Sequence, residues 1–280
     1  MPVYNNYLRK DNAAMRIRRA IPVAVLCLWS LPIWCQGALQ DHLDSVYRGK
    51  TLLLRNFYSG SDLRYDQSGN LISGGVPSSW TLASMEITSV TLGPQEVEIA
   101  GNRIGTRYLV EKREFLRIGK IKLHIAHPAA IANNGPTLEP VLAKIFIEPG
   151  EDLRPMLPDY WSYYLSGTDL PSRRSAWKSA VALGPPGTRP SGTAPKPLKT
   201  PDPKYTKEAA SKRIEGTTIL EAIIDASGSP THIGIVQPLG MGLDEQAVAT
   251  MAQWRFRPST SNGQPIPAPL EVQLAFKCCP

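Results

Sequence analysis

Between residues 41 and 165 the apolar positions recur mostly with period two, the spacing of strands buried on one face. Residues 95–100 (QEVEIA) alternate cleanly, with Val97 and Ile99 on one side, and residues 85–92 (MEITSVTL) carry Ile87 and Val90 among their apolar positions. A turn is predicted at Gly101-Asn102, with strands over 106–111 and 118–126; the latter places Ile121, Leu123 and Ile125 on one side. Residues 51–58 (TLLLRNFY) form a further strand candidate, and Asp66-Gln67-Ser68-Gly69-Asn70 a turn cluster. After Thr137, Leu138, Val141, Leu142, Ile145 and Phe146 recur at helical spacing until Pro149-Gly150 stops them. The pattern predicts a mostly-β domain over 41–183, an antiparallel sandwich, barrel or meander.

Residues 184–204 (GPPGTRPSGTAPKPLKTPDPK) hold seven prolines and break the periodicity. Extended at about 3.1 Å per residue, such a linker reaches on the order of 65 Å. Regular patterning then resumes over 205–280. A short helix is predicted over 207–213, strands over 217–225 and 231–236 with Ser227-Gly228 turning between them. Leu243, Ala247, Val248 and Met251 form an amphipathic helical stripe, with Asp244 and Glu245 at the end where the helix dipole favours negative charge. Residues 271–277 (EVQLAFK) alternate Val272, Leu274 and Phe276 with polar or small neighbours. This C-terminal part is predicted to be α+β: about three antiparallel strands covered by helices.

Charge changes the picture at the front. The chain of 280 residues carries a formal +7, and residues 1–40 hold five basic groups against Asp11 alone. The remainder is nearly balanced, with 26 basic and 23 acidic groups. Arg16, Arg18 and Arg19 precede an uncharged run over 20–34 (AIPVAVLCLWSLPIW), the layout of a secretory signal and shorter than the roughly 20 apolar residues of a comfortable membrane span. Residues 1–40 are therefore expected to be a signal peptide or signal anchor, with a cleavage site after Gly37 and export to the periplasm. Cys27 and Cys35 fall inside this segment, which leaves Cys278 and Cys279, adjacent and unsuited to a disulfide framework or a zinc site. The basic excess thus points to export and not to nucleic acid.

The C-terminal residues carry a resemblance. Pro203-x-Tyr205 precedes a short Ala-containing helix, Gly216-Thr217 opens a strand, Asp225 and Gly228 mark a turn, and Leu243-Asp244 with Ala247 marks a helix. Trp254-Arg255-Phe256-Arg257-Pro258 follows, then Asn262-Gly263 and a last strand ending in Phe276. In this order the motifs resemble the C-terminal domain of the TonB family of energy transducers, over roughly a quarter of the chain. The resemblance implies that the last strand, Glu271, Val272, Gln273, Leu274, Ala275 and Phe276, pairs with the TonB box of an outer-membrane TonB-dependent transporter. An inner core strand is the other reading of that segment. Trp254, Phe256, Pro258, Asn262 and Gly263 read as fold determinants. The family also implies a membrane anchor coupled to the ExbB–ExbD motor and, through edge pairing, a homodimer. The anchors of such transducers usually carry a histidine, and residues 20–34 contain none.

Other chemistry is sparse. His124 and His127 lie three apart on a predicted strand, on opposite faces, and cannot easily share a metal. No Gly-x-Ser-x-Gly, His-Glu-x-x-His, Walker loop or Gly-x-Gly-x-x-Gly occurs. Tyr160-Trp161-Ser162-Tyr163-Tyr164 is an aromatic cluster suited either to stacking sugars or bases or to a core, and Arg173-Arg174 with Lys178 is a small basic patch. No catalytic residue, cofactor or metal ligand is assigned. Two readings stand: a transporter partner acting through a retained anchor, and a soluble periplasmic binding or scaffold protein carrying the same domain without a motor.

Overall fold

The computed structural model describes residues 33–109, 112–127, 138–166 and 192–278. The signal segment up to 32, the patch at Arg173, Arg174 and Lys178, the linker over 184–191 and Cys279 lie outside the described residues. Helix α1 (Ile33–Tyr47) crosses the expected boundary at residue 40. Leu39 and Leu43 are buried, and the Gln40 carboxamide donates to Val90 O (2.6 Å) while accepting from Leu92 N (2.8 Å). These residues on either side of the boundary belong to one core.

Seven strands follow: β1 (Thr51–Leu54), β2 (Asp62–Tyr65), β3 (Leu71–Ser73), β4 (Ser84–Leu92), β5 (Glu96–Tyr108), β6 (Arg113–Ala126) and, after helix α2 (Glu139–Ile145), β7 (Phe146–Ile147). They form one sheet in the order β3-β2-β6-β5-β4-β1-β7, antiparallel except where β2 meets β6. Its centre, β4-β5-β6, is an antiparallel meander. One face is apolar: Met85, Ile87, Val97, Ile99, Ile121, Leu123 and Ile125 are buried. The other carries a ladder of polar pairs, Arg117 on Glu86 (2.8 Å), Lys122 on Glu98 (2.9 Å) and the His124 ring against Glu96 (3.3 Å). An antiparallel sheet with one solvated face yields this alternation.

The turn expected at Gly101-Asn102 is not formed. Both residues lie inside β5, which runs unbroken for 13 residues. Gly101 is there for clearance: a Cβ would fall 2.2 Å from Glu86 O on the neighbouring strand. Asn102 bridges the sheet, donating to Glu86 (2.9 Å) and accepting from Lys120 Nζ (2.9 Å). Arg103, on the core face, is buried and forms no ion pair within 4.0 Å among the described residues. It donates to Tyr58 O (3.0 Å), Leu82 O (3.1 Å) and Gly60 O (2.5 Å), and burial lowers its pKa to about 10. Three carbonyls in place of a counter-ion fix two loops to β5.

After helix α3 (Ser162–Ser166), the C-terminal half of the proline-rich segment is paired instead of free. β8 (Gly192–Thr193) and β9 (Lys196–Lys199) bond to later strands, β8 to β13 (Ser259–Ser261) and β9 to β12 (Arg255–Arg257). Prolines are tolerated because these are edge strands. The remaining elements are α4 (Lys207–Ser211), β10 (Gly216–Ile224), β11 (Pro230–Gln237), α5 (Leu243–Met251), β14 (Gln264–Ile266) and β15 (Ala268–Phe276). β10 is the centre of a sheet ordered β11-β10-β15, and α5 lies over β10 and β11.

The two halves share a buried cluster that includes Leu39, Met85, Trp161, Leu220, Met241 and Phe276. They meet where residues 239–241 continue the ladder of β5. Tyr108 N donates to Leu239 O (2.9 Å), Met241 N donates to Thr106 O (2.9 Å), and Gly242 N donates to Thr81 Oγ1 (2.9 Å). Gly240 has φ +86°, and a Cβ there would lie 2.1 Å from Thr106 O. Gly240→Ala therefore both strains the backbone and pushes the halves apart, an expected loss of roughly 1–3 kcal/mol. Thermal unfolding of the full chain checks it: the expected melting point falls by about 2–12 °C.

Candidate partner-binding edge

β15 pairs with β10 over nine residues, from Gly216 opposite Phe276 to Ile224 opposite Ala268, with no register shift. Side chains alternate as the sequence predicts: Leu274 and Phe276 are buried and Val272 is half-buried, while Glu271, Gln273 and Ala275 are exposed. The inward residues are held partly by Tyr205, whose ring meets Phe276 edge-on at 5.6 Å and whose hydroxyl donates to Ile214 O (3.0 Å). Of the helices predicted to cover the strands, α5 lies mainly over β10 and β11.

The two outer strands of this sheet differ. β11 is met by α3 and the turn before it, Asp159–Trp161, both from the N-terminal half. Among the described strands β15 pairs with β10 alone. Its outer row of main-chain N–H and C=O groups is therefore the open one, and such a row accepts an added strand.

The signature residues sit beside this sheet and stabilise it. Trp254 Nε1 donates to Pro201 O (3.0 Å), which ties the domain's first residues to the end of α5. Phe256 is buried, stacks obliquely on Trp254 at 6.0 Å, and its N–H donates to Gly228 O (2.9 Å). A Cβ at Gly228 would lie 1.9 Å from Phe256 O, so only glycine fits that turn. Pro258 is half-buried. Asn262 (φ 50°) and Gly263 (φ 78°) form the two-residue turn between β13 and β14, where Ser261 pairs with Gln264. Both central residues take positive φ, the condition that favours Asn-Gly in a tight hairpin.

A family model described as Gram-negative bacterial TonB protein C-terminal matches residues 201–278. Residues 201–278 are a TonB C-terminal domain. Protein TonB of Vibrio cholerae serotype O1 is 30% identical over 76 residues, 27% of this chain and 31% of that protein. The chain thus matches about a third of the length of that relative. The solution NMR structure of the Pseudomonas aeruginosa TonB C-terminal domain is 26% identical, covers 30% of this chain and 87% of its own, and superposes with a TM-score of 0.26.

In this TonB C-terminal domain Asp244 and Glu245 occupy the start of α5, the end where the helix dipole favours negative charge. Asp244 is fully buried: Oδ1 accepts from Thr218 Oγ1 (2.8 Å) and Leu239 N (2.8 Å), and Oδ2 accepts from Gly240 N (2.7 Å). Glu245 keeps part of its stem exposed, but its carboxylate turns inward against the N-terminal half. Oε1 accepts from Trp161 Nε1 (3.0 Å), and the Ser79 side chain also acts on this carboxylate. Trp161, fully buried, meets Trp80 edge-on at 5.3 Å, so this member of the aromatic cluster is core at the junction. Sequence reasoning missed this junction because Trp161 and Glu245 are 84 residues apart. His124 and His127 play separate parts: His124 pairs with Glu96, and buried His127 has Nε2 3.1 Å from Gly93 O.

Desolvation raises the pKa of Asp244 to about 7, with the adjacent Glu245 adding to it; Glu245 is also raised, by burial. A carboxyl with a raised folded-state pKa stabilises most below its unfolded value, and that contribution is lost as pH climbs through the folded value. Stability should therefore rise as pH is lowered from about 7 to about 4.5, a window above the range where paired surface carboxylates such as Glu86 begin to be neutralised. In Asp244→Asn the slope should flatten. Its unfolding free energy should also drop by about 1–3 kcal/mol, because one of the two backbone N–H groups loses its acceptor. Urea titrations of both proteins across that pH range check the two outcomes.

Proposed function

We propose that this chain is an envelope protein of the TonB type. It acts by binding and not by catalysis, with β15 receiving an extended peptide, the TonB box, of an outer-membrane transporter in support of transport across that membrane. The observation that carries this reading is the open edge. Residues 271–276 present exposed Glu271, Gln273 and Ala275 on a strand that, among the described strands, is paired on one side only, while the opposite strand of the sheet faces the N-terminal half. Main-chain hydrogen bonds would supply affinity and the alternating side chains specificity.

On this reading the chain works in the periplasm, with residues 16–34 as a signal or inner-membrane anchor. No helix among the described residues is long and apolar enough to cross a membrane. Coupling to an ExbB–ExbD motor requires the anchor to be retained, and homodimerisation would compete for the same strand. A soluble scaffold lacking the anchor would still bind through β15. The mature N-terminus, measured by mass spectrometry in membrane and soluble fractions separately, distinguishes the two.

A benzophenone side chain placed at Gln273 tests the edge. Cross-linking to a TonB-box peptide is expected there and not from the same probe at Gln237, an exposed position on β11. Labelling from Gln237 with none from Gln273 overturns the assignment.

A further inference from the structure

The ribbon of β9 and β12 carries charge of one sign only. Its two strands are antiparallel, with Lys199 opposite Arg255 and Lys196 opposite Arg257. Like charges directly opposite each other destabilise a strand pair. The ribbon is held from beneath: Phe256 is buried on the other side of β12, and Trp254 Nε1 donates to Pro201 O (3.0 Å). All four cations are exposed, and among the described residues none of them forms an ion pair. Arg255 Nη1 donates to the carbonyls of Trp254 (2.6 Å) and Ala252 (3.4 Å), which bring no neutralising charge. No acidic residue occurs over 192–201 or 246–270, the two segments that supply the ribbon.

An apolar side chain projects among these charges. The register passes from Pro197 opposite Phe256 to Lys199 opposite Arg255, so Leu198 is the extra residue of a bulge. It is 64% exposed, one of four large apolar side chains left so open among the described residues. Three kinds of anionic partner would use this surface differently. A soluble polyanion has no use for the leucine. An acidic peptide adding to the open side of β9 would find Pro195 and Pro197 without an N–H to donate. An anionic lipid surface uses both features, because headgroups meet the cations while the leucine enters the boundary with the acyl chains.

We propose that the β9–β12 ribbon binds a lipid surface bearing anionic headgroups. Lys196, Lys199, Arg255 and Arg257 face the headgroups, and Leu198 sits at the acyl boundary. The site uses no residue of β15 and does not rest on the TonB-box reading.

The test places a dansyl side chain at position 198 of the full chain and follows its emission on vesicles of mixed phosphatidylglycerol and phosphatidylcholine. A blue shift is expected, weaker as salt screens the charges and absent with phosphatidylcholine alone. The same probe in place of Ile72, 65% exposed on β3, is expected to stay in water. That comparison separates the ribbon from adhesion through residues 16–34, which would tether both positions alike. Each cation near such a surface is worth about fivefold in partitioning, so Lys196→Glu with Lys199→Glu should raise the lipid concentration at half-shift by at least about tenfold. The same two changes turn cross-strand repulsions into attractions, so the melting point should hold or rise. No shift at 198, equal shifts at 198 and 72, or indifference to the double reversal in a folded variant overturns the proposal. So does displacement of the vesicles by polyphosphate or polyglutamate at a lower concentration of charge, which would assign the ribbon to a soluble polyanion or an acidic chain.

Discussion

Two backbone hydrogen bonds, Tyr108 N to Leu239 O and Met241 N to Thr106 O, join the two halves of the molecule, and much else follows from them. They lengthen the ladder of β5 by a loop from the other half, and this needs a glycine at 240 and close approach at Gly105, where Met241 Sδ would lie 2.4 Å from an added Cβ. Once the loop is fixed, its amides at 239 and 240 converge on Asp244, and Gly242 N reaches Thr81. The same docking brings α3 beside β11. Which edge of the small sheet stays open is thus decided by contacts outside that sheet.

Local pattern was a good guide where one face of an element is buried. The alternation in 85–92 and 95–100 and the stripe after Thr137 correspond to β4, to the first part of β5 and to α2, and Asn262-Gly263 turns a hairpin. The same signals failed where a residue has a non-local reason. Gly101 looks like punctuation, yet it clears a neighbouring strand, a fact visible only once Glu86 is known to lie opposite. The prolines of 192–199 read as a spacer, yet edge pairing needs only half of a strand's donors and tolerates them. For the candidate edge, the inward and outward residues of β15 were legible from alternation alone. The openness of that edge was not, because it depends on Asp159–Ser166 reaching β11 from a distant part of the chain.

Asp244 and Glu245 show two electrostatic effects of unequal size. Placement at a helix N-terminus favours a carboxylate by about 0.3–1 kcal/mol. Withdrawal from water costs several kcal/mol for each ion, even after relaxation. Burial therefore dominates, and the three donors around Asp244 offset only part of it. The sequence pattern of acids at a helix start was read for the smaller effect. The larger one became apparent only from the junction, where Trp161 and Thr218 close over the two carboxylates.

An open edge strand is also a hazard, since any extended chain can add to it. β15 limits that hazard by its own residues. Pro269 lies within the strand with no N–H to offer, and a proline inside a ladder must face the unpaired side. Strand addition can therefore run with full donors only beyond it, through the segment that ends at Phe276. At about 3.4 Å per residue that segment gives on the order of 20 Å of contact, enough for one short peptide and little for sheet-on-sheet growth. Exposed Glu271 adds a like-charge penalty against acidic strands. A strand added here would thus be limited in length by Pro269 and in charge by Glu271, with the N-terminal half standing against β11.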